Sequence, residues 1–226
     1  MISIAIDGPA GAGKSTISRI VAGQLGFIYV DTGALYRAIG VYALNCGVNP
    51  KDTDAVASLL KNIEIKLKFV DHEQRVILNG QDVSAHIRTA EASMAASDVS
   101  ALPLVRTFLF ELQQSMARGS NVVMDGRDIG TVVLPNAQIK IYLTASPEDR
   151  AQRRFSEMKQ KGMEVTYEGV LKDLTERDYN DSNRAVAPLK PAQDSIIVDT
   201  TGNTLEQSVE ALTALIREKL AKLGDA

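Results

Sequence analysis

At 226 residues the chain is long enough for one sizeable core but not comfortably for two full domains. Hydrophobic residues make up 45% and charged residues 23%, and the net charge is −3. That composition is ordinary for a soluble globular protein, and the acidic balance argues against broad binding to a nucleic-acid backbone, so any anionic ligand must be held by locally concentrated Lys and Arg.

The first apolar run, Ile2-Ser-Ile-Ala-Ile6, is nearly continuous and stops at Asp7-Gly8, as a strand buried on both faces would. It is far too short for a leader, and no later run reaches membrane-span length, so the expectation is a cytoplasmic protein with no membrane partner. Ile17, Ile20, Val21 and Leu25 then recur at helical spacing until Gly26. Phe27-Ile-Tyr-Val30 reads as a second strand, ending at Asp31-Thr32-Gly33. Leu35, Ile39, Tyr42 and Cys46 define the next helix face, closed by Gly47 and Pro50. Cys46 is the only cysteine, and its place on that stripe predicts a buried core thiol.

The period then changes. Ile63-Glu-Ile-Lys-Leu-Lys-Phe69 alternates apolar and charged residues, Asp71-His-Glu-Gln reads as a turn, and Arg75-Val-Ile-Leu-Asn79 returns. This predicts an antiparallel hairpin hung on a parallel core. His72 in that turn and His86 have no partners at metal-ligand spacing, so both read as structural or solvated. Two helical stretches cover roughly 88–118, and Asn121-Val-Val-Met-Asp125 and Gln138-Ile-Lys-Ile-Tyr-Leu143 are the next strands. Ser146-Pro-Glu-Asp149 opens a charged helical region that runs to about residue 184. Ile196-Ile-Val198 is a last strand, and Thr204-Leu-Glu-Gln207 caps a final helix carrying Leu205, Val209, Leu212, Ile216 and Leu220. Strand and helix alternate with short links, which predicts an α/β fold of one unit: a five-stranded parallel sheet flanked by helices.

Gly8-Pro-Ala-Gly-Ala-Gly13-Lys14-Ser15 matches the phosphate-binding P-loop pattern, with a strand before it and a helix after it. Backbone N–H groups must converge on phosphate oxygens there, and a Cβ would block the approach. Gly8, Pro9, Ala10, Gly11, Ala12, Gly13, Lys14, Ser15 and Thr16 are therefore the candidate ATP-binding loop. In such a loop Lys14 bridges the β- and γ-phosphates and the Ser15 hydroxyl is a Mg²⁺ ligand. A glycine-rich turn matches this pattern by accident in about one chain of this length in a hundred.

A guanine-nucleotide switch would need an Asn-Lys-x-Asp segment, which is missing. A nucleic-acid-binding ATPase is disfavoured by acidity and by the lack of a basic–aromatic stripe. A phosphotransferase needs a second anion site, and the chain offers Arg37, Arg127 and an arginine-rich helical region. Arg177, Asp181 and Arg184 fall at i, i+4 and i+7, one face of a helix; a surface salt-bridge ladder is the bland alternative. Arg150, Arg153 and Arg154 nearby weaken it.

Three further segments make the chain resemble the bacterial cytidylate kinases, in the nucleoside monophosphate kinase group: Asp31-Thr-Gly-Ala-Leu-Tyr-Arg37, Asp125-Gly-Arg-Asp-Ile-Gly-Thr131, and Glu176-Arg-Asp-Tyr-Asn-Asp-Ser-Asn-Arg184 followed by Ala185-Val-Ala-Pro188. The resemblance spans almost the whole length and implies a P-loop kinase fold with a small β-rich insertion (about 62–86, within a monophosphate-binding region 32–118) and a helical lid (150–184). It also implies transfer of the γ-phosphoryl of ATP to CMP or dCMP, with Mg²⁺ accompanying ATP. No obligate protein partner is evident in the sequence, and the expectation is a monomer.

Carried over to this chain, the resemblance has Arg37, Arg127 and Arg184 hold the acceptor's α-phosphate, Arg177 and Asp181 meet its sugar hydroxyls, and Ser97, Arg106 and Asp128 read the base. Thr32, where the family commonly has serine, keeps a hydroxyl. Asp125 has two readings, an acid capping a strand end or a contact to Mg²⁺-bound water. With Lys14, Arg127 and Arg184 it makes up the candidate catalytic set. The rivals are a sister kinase for UMP, AMP or shikimate, and a non-catalytic nucleotide-binding module. The segment Thr200-Thr-Gly-Asn203 is a candidate adenine contact.

Overall fold

The computed structural model describes residues 1–70 and 73–224. Strand β1 (Ser3–Asp7) is apolar from Ile4 to Ile6 because both of its faces are covered. Ile4 and Ile6 face one helical layer, where they meet Ile17 and Val21 of α1 (Lys14–Leu25) and Leu212 and Ile216 of α8 (Leu205–Gly224). Ala5 faces the other side, with Val30 of β2 (Ile28–Asp31) and Val122 and Met124 of β6 (Val122–Gly126). The remaining strands are β7 (Ile139–Thr144) and β8 (Ile196–Asp199). All five pair in parallel in the order β2-β6-β1-β7-β8, so β1 is central and its loop emerges between β6 and β7. This is the five-stranded parallel α/β sheet that the sequence predicts, each strand within a residue or so of its expected place.

Helices α2 (Thr32–Asn45), α3 (Thr53–Leu60), α4 (Ala90–Ser100) and α5 (Pro103–Arg118) share a second core of Leu35, Ile39, Val56, Val99, Val105 and Leu109. Gly40 lets α2 and α4 cross closely, since a Cβ there would lie 2.8 Å from the Ala95 backbone. Side-chain caps begin most of these helices: Asp31 accepts from Ala34 N–H, Asp52 from Ala55 N–H and Thr89 from Ala92 N–H. Ser146 caps α6 (Pro147–Gln160), Thr166 caps α7 (Tyr167–Asn183), and Thr204 and Gln207 form a reciprocal capping box on α8.

The insertion is a separate antiparallel sheet, β3 (Ile65–Val70), β4 (Glu73–Leu78) and β5 (Gln81–Asp82). It has one strand more than the expected hairpin. The third is only two residues long, and no apolar alternation marks it. Glu73 and Gln74 belong to β4 rather than to the turn; Asp71 and His72 lie outside the described residues. Val76 with Ile65 and Leu67 covers Ala34 and Ala38 of α2.

Two expectations are corrected. Cys46 is exposed, because α2 ends at Asn45 and its last buried residue is Ala43. Arg184 lies just past α7 with extended backbone (φ −64, ψ 144), so it does not continue the Arg177–Asp181 face. His86 is exposed, as a solvated histidine should be. Among the described residues no helix is long and apolar enough to cross a membrane.

Candidate active site

A cleft of about 300 Å³ opens where β1, β2 and β6 end, at the carboxyl edge of the parallel sheet. Its floor is the glycine loop. Gly8 (φ +151) passes so close to β7 that a Cβ would lie 1.9 Å from the Leu143 carbonyl oxygen. Gly11 (φ +74) and Gly13 (φ +84) take left-handed backbone that side chains disfavour. The loop thus turns its backbone inward and feeds directly into α1, whose N-terminal N–H groups face the cleft. Ala10 through Thr16 line it, whereas Gly8 and Pro9 lie beneath and shape the turn.

Lys14 is buried, and its ammonium donates to the Pro9 carbonyl at 2.7 Å. Burial, and then the neighbouring Arg127, push it well below the ordinary lysine range, with Asp125 pulling the other way. The Ser15 hydroxyl donates to Asp125 Oδ2 at 2.8 Å and the Tyr29 hydroxyl to Oδ1 at 2.9 Å. Burial and then Asp31 raise Asp125 to about 6, opposed by Lys14 and by those two hydrogen bonds. Asp125 thus joins the loop's hydroxyl to Tyr29 of β2.

The opposite wall is made of paired charges from segments far apart in the chain. Arg37 meets Asp31 at 2.6 Å, and its Nε is buried without a hydrogen-bond partner. Arg127 Nε donates to Asp181 Oδ2 at 2.9 Å, and the Ser97 hydroxyl donates to Oδ1 at 3.1 Å. Arg177 stands 3.9 Å from the same carboxylate, beyond hydrogen-bonding reach, and its Nε also lacks a partner. Burial opposes charge on Asp181, yet Arg127 and Arg177 hold its carboxyl below the usual value. Burial and then Arg127 lower Arg177 to about 9.

Asp128 is gripped by Arg106 and, at 3.3 Å, by Arg184, whose second nitrogen donates to Ser100 Oγ at 3.1 Å. The Thr32 hydroxyl donates to the Asp125 carbonyl at 2.8 Å, tying the start of α2 to β6. Thr32, Arg37, Ser97, Arg106, Asp125, Arg127, Asp128, Arg177, Asp181 and Arg184 all line the cleft.

In total, Lys14 and Arg37, Arg106, Arg127, Arg154, Arg177 and Arg184 face Asp31, Asp125, Asp128, Glu157 and Asp181. Cations exceed carboxylates by two, in a chain whose net charge is −3. The excess is local and converges on one concave site, as recognition of a polyanion requires.

Several contributors escape sequence reasoning. Tyr36 is buried, with the Arg106 guanidinium over its ring at 5.6 Å from the centroid. It lies within the quoted Asp31–Arg37 segment, but an apolar stripe position looks like core. Arg150 donates to the Ala10 carbonyl at 2.8 Å and pairs with Asp178 at 2.5 Å, while Asp178 accepts the Ala10 N–H at 3.2 Å. The two long helices α6 and α7 therefore clasp the loop at Ala10. Gln74 of β4 exchanges two hydrogen bonds with the Asp31 backbone, at 2.9 and 3.1 Å, which ties the insertion to the wall of the cleft. None of these pairings has a local sequence signal. Thr200–Asn203 does not line the cleft; Arg153 holds that turn through the Thr200 carbonyl at 2.6 Å.

The cytidylate kinase family model matches residues 4–218. A cytidylate kinase of Caldicellulosiruptor bescii is 50% identical over 214 residues, 95% of each chain. One from Carboxydothermus hydrogenoformans is 49% identical over 216 residues, covering 96% of this chain and 97% of that one. Among solved structures, an uncharacterized protein from Eubacterium ventriosum shares the fold at a TM-score of 0.54 and 11% identity, covering 96% of this chain and 99% of its own.

Proposed function

The chain belongs to the cytidylate kinase family, and on that premise we propose that it transfers the γ-phosphoryl group of ATP to the α-phosphate of CMP or dCMP, giving the diphosphate and ADP. The observation that carries this reading is the joining, in one cleft, of a phosphate loop with a wall of arginines whose carboxylate partners do not exhaust their charge. A phosphate oxygen is already an adequate nucleophile, so the protein's task is to position two anions and neutralise them. Lys14 and the loop backbone hold the β- and γ-phosphates. Arg37, Arg127 and Arg184 hold the acceptor's α-phosphate, using guanidinium N–H groups left over from their carboxylate pairs. Arg177 and Asp181 meet the sugar.

Asp128, Arg106 and Ser97 read the base. Cytosine offers a 4-amino donor with N3 and O2 as acceptors, so a carboxylate accepts from the amino group while arginine or serine donates to the ring. Uracil would turn a carbonyl oxygen toward a buried carboxylate and be rejected by that repulsion.

The donor set at Ser15 and Asp125 is hard oxygen, 2.8 Å apart, which fits Mg²⁺ better than a soft metal. When bound, Mg²⁺ would neutralise charge on the phosphate oxygens, with Ser15 as ligand and Asp125 behind its water. Residues 32–118 form the monophosphate-binding region and 150–184 a lid that closes over the cleft, carrying Arg154, Arg177 and Asp181 on α6 and α7. In this reading the enzyme is a cytoplasmic monomer.

The test is ADP release from ATP and Mg²⁺ with CMP, dCMP, UMP or AMP as acceptor. CMP and dCMP should dominate, and ATP hydrolysis without an acceptor should be slow. A different preferred acceptor would overturn the base reading. Rapid hydrolysis that CMP leaves unchanged would overturn the lid.

A further inference from the structure

The carboxylate at the end of β1 takes no part in the roles assigned above. Asp7 is 2% exposed and pairs with no Lys or Arg among the described residues. Burying an unpaired carboxylate is costly unless hydrogen bonds satisfy it. Asp7 accepts two, both at 2.7 Å: Oδ1 from the Ile129 N–H and Oδ2 from the Gly130 N–H. These donors are consecutive and open the π-helical turn Ile129–Val133.

That turn begins one residue after Asp128. The Asp128 carbonyl accepts from Val132 and Val133 N–H at 2.9 and 3.2 Å, so its backbone is locked into the same turn that Asp7 grips. Gly130 packs against this carboxylate and the Lys140 chain: a Cβ there would lie 3.4 Å from Asp7 Oδ2, ordinary contact, and 3.2 Å from Lys140 Cδ. Asp7 also directly precedes Gly8. One side chain thus fixes the acceptor turn to the strand that carries the phosphate loop.

We infer that Asp7 is a positioning residue for acceptor recognition: it sets where the Asp128 carboxylate stands, and through it how strongly cytosine is preferred over uracil. The inference rests on the reading of Asp128 as the residue that meets the 4-amino group. Asp7 touches no substrate itself. Discrimination by a buried carboxylate is a matter of placement, and a small displacement of the turn would weaken contact with the amino group and relieve the repulsion of a 4-oxo group together.

The experiment compares kcat/KM for CMP and for UMP, KM for ATP, and Tm in wild type, Asp7→Asn and Asp128→Asn. The amide introduced by Asp7→Asn keeps the shape of the side chain but turns N–H donors toward one of the two backbone N–H groups. Asp7→Asn should lower the CMP-to-UMP ratio by about tenfold or more, chiefly through KM for CMP, with KM for ATP within about twofold. A merely structural role would depress both acceptors in parallel and leave the ratio where it is. A folded Asp7→Asn that keeps the wild-type ratio, beside an Asp128→Asn that loses it, overturns the inference alone. An Asp128→Asn that keeps the ratio overturns the base reading and the inference with it. Should Asp7→Asn not fold, Asp7→Ala leaves both donors to water without an opposing amide, and the same ratio decides.

Discussion

The phosphate loop presents backbone to the cleft, whereas the facing wall presents paired side chains. The loop is one stretch, Ala10 to Thr16, shaped by glycines whose dihedrals and close approach to Leu143 exclude other residues. The wall takes Arg37 from α2, Ser97 from α4, Arg106 from α5, Arg127 and Asp128 from the end of β6, and Arg177, Asp181 and Arg184 from α7 and its exit. A backbone site can be rigid on its own, since its dipoles are fixed by local geometry. A side-chain site of one sign cannot, because like charges in a buried space repel, and Asp31, Asp128 and Asp181 hold the wall together before any anion arrives. The two halves should therefore fail differently.

The largest expected effect is on the loop side. Lys14→Ala should lower kcat by roughly 10²–10³, the cost of removing one preorganised charge from a transition state, while leaving the apo fold and CMP affinity nearly intact. A coupled ADP assay and a CMP titration check this. If CMP binding collapses with the rate, the two halves are not separable.

On the wall, removing a carboxylate should unfold before it inactivates. Asp181→Ala strips the partner from Arg127 and Ser97 and leaves Arg127 and Arg177 facing each other in a buried site. Breaking such a pair costs roughly 3–5 kcal/mol, a Tm drop on the order of 10 °C for a chain of this size. Because a phosphate supplies negative charge at the same place, saturating CMP should raise the Tm of the variant more than that of wild type. Equal stabilisation of both proteins would mean that the α-phosphate does not sit among these arginines.

These two predictions also mark what was legible in the sequence. The loop could be read because its chemistry is local: eight consecutive residues specify turn, helix entry and charge. The centre of the parallel sheet was legible for a similar reason, since β1 and β6, covered on both faces, are short apolar runs that end at Asp-Gly. The wall was legible in part: Arg37, Arg127, Arg177, Asp181 and Arg184 stood out by charge and spacing, whereas Ser97, Arg106 and Asp128 came only through family resemblance. Arg106, with its partner Asp128 twenty-two positions away, looks like any helix arginine, and nothing local ties Arg150 and Asp178 to Ala10. Helix α3 was missed although Asp52 and the Val56, Leu59, Leu60 spacing mark it, because at eight residues it is little more than two turns; β5 was missed because two residues carry no period.

A smaller effect comes from the buried acids. Asp7 is raised to about 7 and Asp125 to about 6, both chiefly by burial. A folded-state value above the unfolded one means that the native state binds more protons, so stability is greatest below about pH 4 for these groups and is lost as pH rises through 6 and 7. Asp181, Asp82, Asp194 and Asp199 are shifted the other way and act at more acid pH. Between pH 5 and 8 the nucleotide-free protein should therefore lose Tm as pH rises, and Asp7→Asn should flatten that slope. An unchanged slope in the variant would show that Asp7 keeps its charge throughout.

The smallest effect tests where a legible pattern stops. Leu35, Ile39, Tyr42 and Cys46 form one stripe by spacing, yet the stripe is buried at Leu35 and Ile39 and exposed at Cys46. Ile39→Ala should cost roughly 2–5 kcal/mol, because the cavity opens in a core shared with Val56 and Leu109. Cys46→Ser should stay within about 0.5 kcal/mol, since solvent already meets that side chain. Denaturant melts of the two variants at one pH compare them directly. Periodicity reports which side of a helix faces inward but says nothing of where the neighbouring layer ends. At Cys46 the helix itself has ended, and the hydrophobic spacing runs on into solvent. A loss at Cys46→Ser approaching that at Ile39→Ala would mean that the stripe is covered to its end in solution.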